Sequence, residues 1–372
     1  MHVAILSAPP NNHDGWGRYT HDLVSALAER DIRLTLITST DAPPTTTLPV
    51  AEYHRVLPSV APAPRFSSLR LLSTRGAIRR LTRTCDLLHV TAEPYAITAP
   101  ANKPLVVTAH GTFVPLTVER SRVKDIYRGA YERAWMICVS SYTETQVKHT
   151  LPAAHTVVIL NGVHASRYRR PVPLPSKWGR TLLTVGALKP RKGYHIIVSA
   201  MKHIRAAIPD AQAVFIGDDS DAAFRQQLLD SLAADGLQDA VHILGHVSED
   251  VLVGWYQASD VFALPSVNIG RKFEGFGLVY LEANAAGLPV IGTLDCGAED
   301  AIRQGETGYL VPQNDPDAFA DAAIRLLGDE AHRRDLGKNG RTHAERHTWA
   351  RVASRVHDVY RTALHSLPSA PR

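Results

Sequence analysis

The sequence holds only three cysteines, Cys85, Cys138 and Cys296, in 372 residues. An odd, widely spaced trio builds neither a disulfide framework nor a structural zinc site, and it suits a reducing compartment. Aromatic residues are scarce at 7%, and nowhere do 18 apolar residues run together, so no segment is long enough to cross a bilayer as a helix. The opening stretch, MHVAILSAPPNNHDG, has no basic region ahead of its short apolar run and no extended apolar core, which argues against a secretory leader. These absences together predict a cytoplasmic protein. No low-complexity tract or short internal repeat occurs either, and 45% hydrophobic with 21% charged residues excludes a disordered, collagen-like or coiled-coil chain.

What is present begins with size. A chain of 372 residues is more than twice the roughly 150-residue scale of one domain, which predicts two. The net charge of +5 is unevenly spread: residues 1–175 carry 20 Lys and Arg against 12 Asp and Glu, a net of +8, whereas residues 176–372 carry 21 against 24, a net of −3. A basic first half suits nucleic acid, anionic lipid or a phosphorylated small molecule, and charge alone does not choose among them.

Short apolar runs alternate with helical periodicity along most of the chain, the pattern of βαβ units around parallel sheets. In the first half the runs are residues 2–7, 33–39, 85–90, 104–110, 136–141 and 156–162; in the second they are 181–187, 213–218, 241–245, 261–266, 289–293 and 308–312. Between the halves, RRPVPLPSKWGR (169–180) holds three prolines and no apolar period, which predicts an interdomain linker. In the tail, Val352, Val356, Tyr360 and Leu364 fall four apart, which predicts an amphipathic helix over 349–367.

The densest chemistry lies in EGFGLVYLEANAAGLPVIGT, residues 274–293. Gly275 and Gly277 bracket Phe276 just ahead of a helical run. Glycines at a helix start let a phosphate approach free backbone N–H groups, where the helix dipole favours an anion. Glu282, two turns further on, is placed to meet ribose hydroxyls. A lone G-x-G is more often a loop capping a buried helix, so the surrounding residues have to decide.

They do so by resemblance. The string is similar to the E-x7-E segment of retaining GT-B glycosyltransferases of the family 4 type, and other segments resemble that family in the same order. These are the glycine loop Asp14-Gly15-Trp16-Gly17-Arg18-Tyr19, the strand ending in His110-Gly111, ICVSSYT (137–143), ILNGV (159–163), VGALKPRKG (185–193), ILGHV (243–247), ASDVFALPS (258–266), GETGYLVP (305–312) and the closing helix 348–364. The resemblance covers essentially the whole chain. It implies an α/β protein of GT-B type, with two Rossmann-like domains facing across a cleft. Residues 1–170 would form the acceptor side, 171–348 the nucleotide-sugar side, and 349–372 a terminal helix crossing back to the first domain.

The resemblance also implies roles. Glu274 falls on the first family glutamate, expected at the donor sugar and in catalysis, and Glu282 on the second, expected on the ribose. Gly275, Phe276, Gly277 and Leu278 fall where backbone amides meet the diphosphate or sugar. Lys192 falls on the lysine that contacts the diphosphate, where a fixed cation also stabilises the leaving group. His246 and Val247 fall where the base is met, without revealing which base. His110 falls beside the donor sugar as a catalytic residue, and Gly15 and Gly17 approach the diphosphate from the other wall. One departure stands out: where the family often has arginine after the glycine of this loop, the chain has Ala187. Arg191 is the candidate replacement, although neighbours in sequence generally point different ways.

Two further features need a reading. Asp219-Ser220-Asp221 spells D-x-D, the metal motif of unrelated transferases, but it follows a strand where this family has only a polar turn, so no essential metal is expected. Nicotinamide chemistry is disfavoured because the Gly15 loop lacks a third glycine. The segment 65–83 carries Arg65, Arg70, Arg75, Arg79, Arg80 and Arg83 and no acid, with Leu69, Leu72, Ile78 and Leu81 as an apolar stripe interrupted at Gly76. It reads either as a surface helix packing on the first sheet or as a peripheral contact with an anionic membrane. Nothing supports nucleic acid.

The expected activity is transfer of a hexose from a nucleoside-diphosphate sugar to an acceptor hydroxyl, on a glycan or lipid-linked glycan in surface polysaccharide or glycoconjugate assembly, with retention and no metal. A GT-B epimerase or hydrolase, and a non-catalytic sugar-binding scaffold, remain the alternatives.

Overall fold

The structure is a computed structural model that describes residues 1–11, 15–60 and 67–365. The chain divides into two compact units, one made of Met1–Gly162 with the residues from Trp349 onward, the other of Val163–Thr348.

In the first unit β1 (His2–Leu6), α1 (Gly15–Ala28), β2 (Arg33–Ser39), β3 (Glu52–Leu57), α2 (Ser67–Ser73), α3 (Arg75–Leu81), β4 (Leu87–Val90), β5 (Leu105–Ala109), α4 (Phe113–Arg120), α5 (Lys124–Glu132), β6 (Trp135–Cys138), α6 (Ser141–Thr150) and β7 (His155–Val158) follow in order. The strands form one parallel sheet ordered β3-β2-β1-β4-β5-β6-β7. Residues such as Val3, Ile5, Leu88 and Val106 are wholly buried, as expected of strands covered on both faces. The second unit runs β8 (Arg180–Val185), α7 (Tyr194–Ala207), β9 (Ala211–Ile216), α8 (Ala222–Ala234), β10 (Val241–Gly245), α9 (Glu249–Ala258), β11 (Val261–Ala263), α10 (Leu278–Ala286), β12 (Val290–Thr293), α11 (Ala298–Ala301), β13 (Gly308–Val311), α12 (Pro316–Gly328) and α13 (Glu330–Arg346). Its parallel sheet is ordered β10-β9-β8-β11-β12-β13.

Both sheets reverse their strand order once, between β1 and β4 and between β8 and β11. Crevices at such reversals, outside the carboxyl ends of the strands, are where open α/β sheets bind ligands. Helix starts are fixed locally: Ser140, Asp221, Asp315 and Asp329 each accept a hydrogen bond from the backbone three residues on, and Pro316 fills a position needing no N–H donor.

The last helix, α14 (Trp349–His365), belongs to the first unit. It lies against α1, buries Trp349, Val352, Val356, Val359 and Tyr360, and its Tyr360 hydroxyl bonds the Nδ1 of buried His89 at 2.7 Å. Ala363, rather than the half-buried Leu364, completes the inward face, and residues 366–372 lie outside the described residues.

Three details differ from expectation. The edge strand β3 has no apolar run, since EYHRVL is mostly half-exposed. The proline-rich segment is no free linker: Gln257 donates to the carbonyls of Tyr168 and Arg170 at 3.0 and 2.8 Å, Arg167 pairs with Glu249 at 2.8 Å, and Gly254 leaves room for the Pro173 carbonyl. The chain changes unit earlier, at Gly162 and Val163. The basic segment forms two short helices, α2 and α3, broken at Thr74; Leu71 and Ile78 enter the core, Leu72 and Leu81 pack against it, and Leu69 is exposed. Arg65 lies outside the described residues. The three cysteines are buried free thiols, and no described helix is long and apolar enough to cross a membrane.

Candidate active site

At the reversal of the second sheet, the turn after β8 runs through Ala187 into a short 3-10 helix, Pro190–Lys192, and the loop after β11 returns through Ser266 to Glu274. Gly193 closes the turn with φ +74°, and a Cβ there would stand 1.8 Å from the Pro265 carbonyl oxygen, so only glycine lets these two loops touch. The contact brings three sequence-predicted residues together. Lys192 Nζ donates to Glu274 Oε2 at 2.5 Å, Arg191 Nη1 reaches the same oxygen at 3.4 Å, and Ser266 Oγ donates to it at 3.2 Å. The Glu274 carbonyl accepts the N–H of Gly297 at 2.8 Å, which fixes its backbone.

Burial pushes the Glu274 carboxyl up, but the Lys192 and Arg191 charges and the bonds from Lys192 and Ser266 outweigh it and hold it at about 2. Burial pulls Lys192 down, opposed by Glu274. Two cations thus share one carboxylate, leaving a net positive charge beside the start of α10. The 3-10 turn is what lets adjacent Arg191 and Lys192 reach one oxygen, so a guanidinium stands at the cluster although Ala187 carries none. Gly275, Phe276 and Gly277 lead from Glu274 into α10; Gly277 has φ +80° and Leu278 opens the helix. Cys296 nearby is an inert thiol, its pKa raised by burial to about 11.

The other predicted residues of this unit sit on other elements. Glu282 is buried on α10, where its Oε2 accepts the Tyr256 hydroxyl at 2.9 Å. His246 is exposed and Val247 half-buried after β10, the edge strand of the sheet. In the D-x-D string, Asp221 caps α8 and Asp219 pairs with Arg225 at 3.3 Å.

In the first unit His110 follows β5 at the carboxyl edge. Its Nε2 lies 3.0 Å from the Thr91 carbonyl, which can only accept, so that nitrogen carries the proton. The ring meets Tyr19 edge-on at 4.6 Å. The His110 amide N–H donates to Glu93 Oε1 at 2.7 Å. Gly15 and Gly17 open α1, Gly17 pressed so close to Asn11 and the Pro9 carbonyl that a Cβ would clash; Asp14 lies outside the described residues. Between these loops sits a residue that motif reading missed. Glu93, wholly buried, also accepts Trp16 Nε1–H at 2.8 Å. Its one sequence signal is an acid placed just after a buried strand, ahead of Pro94.

Two parallel Rossmann-like sheets, with the final helix returned to the first, define a GT-B protein. Residues 169–343 match the family described as Glycosyl transferases group 1, and residues 13–167 match Glycosyltransferase Family 4. The chain is 31% identical to the GDP-mannose-dependent alpha-(1-6)-phosphatidylinositol monomannoside mannosyltransferase of Mycobacterium tuberculosis, over 76% of this chain and 78% of that one. It is 36% identical to the D-inositol 3-phosphate glycosyltransferase of Corynebacterium urealyticum over 54% of this chain, and spans 45% of that relative's length. The sucrose-phosphate synthase of Thermosynechococcus elongatus shares the fold with a TM-score of 0.81 at 24% identity, covering 98% of this chain and all of that one. The chain belongs to glycosyltransferase family 4, a family of retaining hexosyltransferases.

Proposed function

We propose that the chain moves a hexose from a nucleoside-diphosphate sugar to an acceptor hydroxyl with retention at the anomeric carbon. The observation that carries this is the Arg191–Lys192–Glu274 cluster at the reversal of the second sheet. A site with two fixed cations and one carboxylate, beside a glycine-led helix start, suits a diphosphate joined to a polyhydroxylated ring. In this reading the second unit binds the donor and the first the acceptor. Glu274 meets sugar hydroxyls, Gly275 to Leu278 and Lys192 hold the diphosphate, Arg191 replaces the arginine absent at Ala187, and Glu282 meets the ribose.

The bond from the anomeric carbon to the leaving phosphate oxygen breaks as the acceptor oxygen attacks the same face, and the acceptor proton passes to that phosphate oxygen. Charge builds on the leaving diphosphate, where Lys192 and Arg191 stabilise it in a half-buried setting. His110, through its carbonyl or ring, supports the positive character developing on the sugar. No metal enters the scheme. The Mycobacterium relative's name favours an acceptor borne on a lipid, which accords with the basic first half. Nucleotide release from a panel of UDP- and GDP-hexoses, with product analysis, tests the proposal. Transfer needs an acceptor, an epimerase returns an isomerised sugar without one, and a scaffold releases no nucleotide.

A further inference from the structure

The carboxyl edge of the first sheet is organised around an acid that the scheme above does not use. We propose that Glu93 is a positioning residue for transfer, its carboxylate holding the first turn of α1 and the His110 backbone after β5 in a single working register. The proposal rests on the transferase reading. Its basis is topological first: β4 lies between β1 and β5 in the sheet, so a residue just beyond β4 is placed to reach both the start of α1 and the residues that follow β5. Glu93 does so with one oxygen for each, Oε2 to the Trp16 indole at 2.8 Å and Oε1 to the His110 amide at 2.7 Å. Its own carbonyl is held by the Tyr131 hydroxyl at 3.1 Å, and Trp16 rests on Phe113 beyond the His110 loop, ring centroids 4.4 Å apart.

The chemistry demands the anion. Both partners are N–H groups that can only donate, so a carboxylate satisfies both. A protonated acid or a Gln would turn a donor toward one of them and lose that bond. Yet Glu93 is fully buried and forms no ion pair with Lys or Arg among the described residues. An unpaired buried carboxylate is costly to stability, and such groups concentrate at functional sites. Burial pushes its pKa up to about 7, restrained by the hydrogen bonds to the carboxylate. The titratable groups around it are His110, His89 on β4, Tyr131 on α5 and Cys138 on β6. Burial holds His89 at about 3, and pushes Tyr131 and Cys138 up, so these three stay neutral near pH 7.

The experiment follows kcat, donor KM and their pH dependence in the full chain for wild type, Glu93→Gln and Trp16→Phe, using a nucleotide sugar that the wild type turns over. Glu93→Gln is expected to lower kcat about 10- to 100-fold, the scale of a misplaced reacting group, with a smaller change in KM. The wild-type rate should fall below about pH 7, and that acidic limb should vanish in Glu93→Gln. Trp16→Phe removes a bond that favours the anion, so its limb should move to higher pH. It keeps the carboxylate and carries the test if Glu93→Gln fails to fold. An unmoved limb in Trp16→Phe overturns the role. So does wild-type kcat in Glu93→Gln, or an acidic limb that persists there. A wild type that releases nucleotide from no donor overturns the transferase reading itself, and this role with it.

Discussion

Lys192 and Arg191 both direct their charge at Glu274, whose carboxyl they hold well below the usual carboxylate range. In the proposed reading a donor diphosphate enters as a second anion for cations already fixed in place, at little cost in side-chain entropy. Lys192→Ala should weaken donor binding about 10- to 100-fold, the range for one charge-assisted bond, and calorimetric titration would read it; unchanged affinity removes the lysine from the site. His110→Ala should instead lower kcat far more than donor affinity, and equal turnover would refute its part in catalysis. Glu274 also sets an acid limit on stability. Its folded pKa, about 2, lies below its ordinary 4.5, so its contribution is complete above 4.5 and is lost as pH falls toward 2. Denaturant titrations across that window should show wild type losing an increment that Glu274→Gln lacks. The meeting of Lys192 and Glu274 was legible because both sit in motif segments whose spacing survives in sequence. Glu93 was not, because nothing in its neighbours says that an acid beside a proline will be closed over on every side.

The elements carry constraints of their own. Gly193 joins the Lys192 turn to α7 at a point where a Cβ would overlap the Pro265 carbonyl. Gly193→Ala should therefore cost about 2 kcal/mol or more through a strained φ and the clash, seen as a lower Tm and as weaker donor binding. Apolar strands declared themselves by composition in both sheets. β3 did not, because an edge strand with one wet face carries charged residues such as Glu52 and Arg55 and pairs only with β2. The basic segment was legible in charge but not in shape. As α2 and α3, it tucks Leu71 and Ile78 inward and presents Arg75 and Arg79, with Arg133 just after α5, around a cavity of about 720 Å³. Burial and then the Arg75 charge lower the Arg133 pKa, the mark of cations facing one another. Arg75→Ala with Arg79→Ala should reduce flotation with anionic vesicles at low salt while leaving neutral vesicles unaffected. If wild type itself fails to float, the membrane contact is wrong.

At the scale of the whole chain, the charge asymmetry separates the two units much as the motifs do, a basic first half and a mildly acidic second. Their connectivity is less symmetrical. The second unit is one continuous stretch, Val163–Thr348, while the first is assembled from both ends of the sequence. Residues 163–348 alone should fold and bind donor, measurable by thermal melting and calorimetry. Residues 1–348, lacking α14, should leave the first unit unstable, since His89 then loses Tyr360 and the inward face of α1 loses its cover. On the ribosome this imposes an order. Synthesis proceeds at roughly 5–20 residues per second, so the first unit emerges early yet waits for the final helix, while the second can close as soon as it clears the exit. While the whole second unit is being made, the first unit has all seven strands but no α14, and the apolar face of α1 stays open to chaperones over that interval.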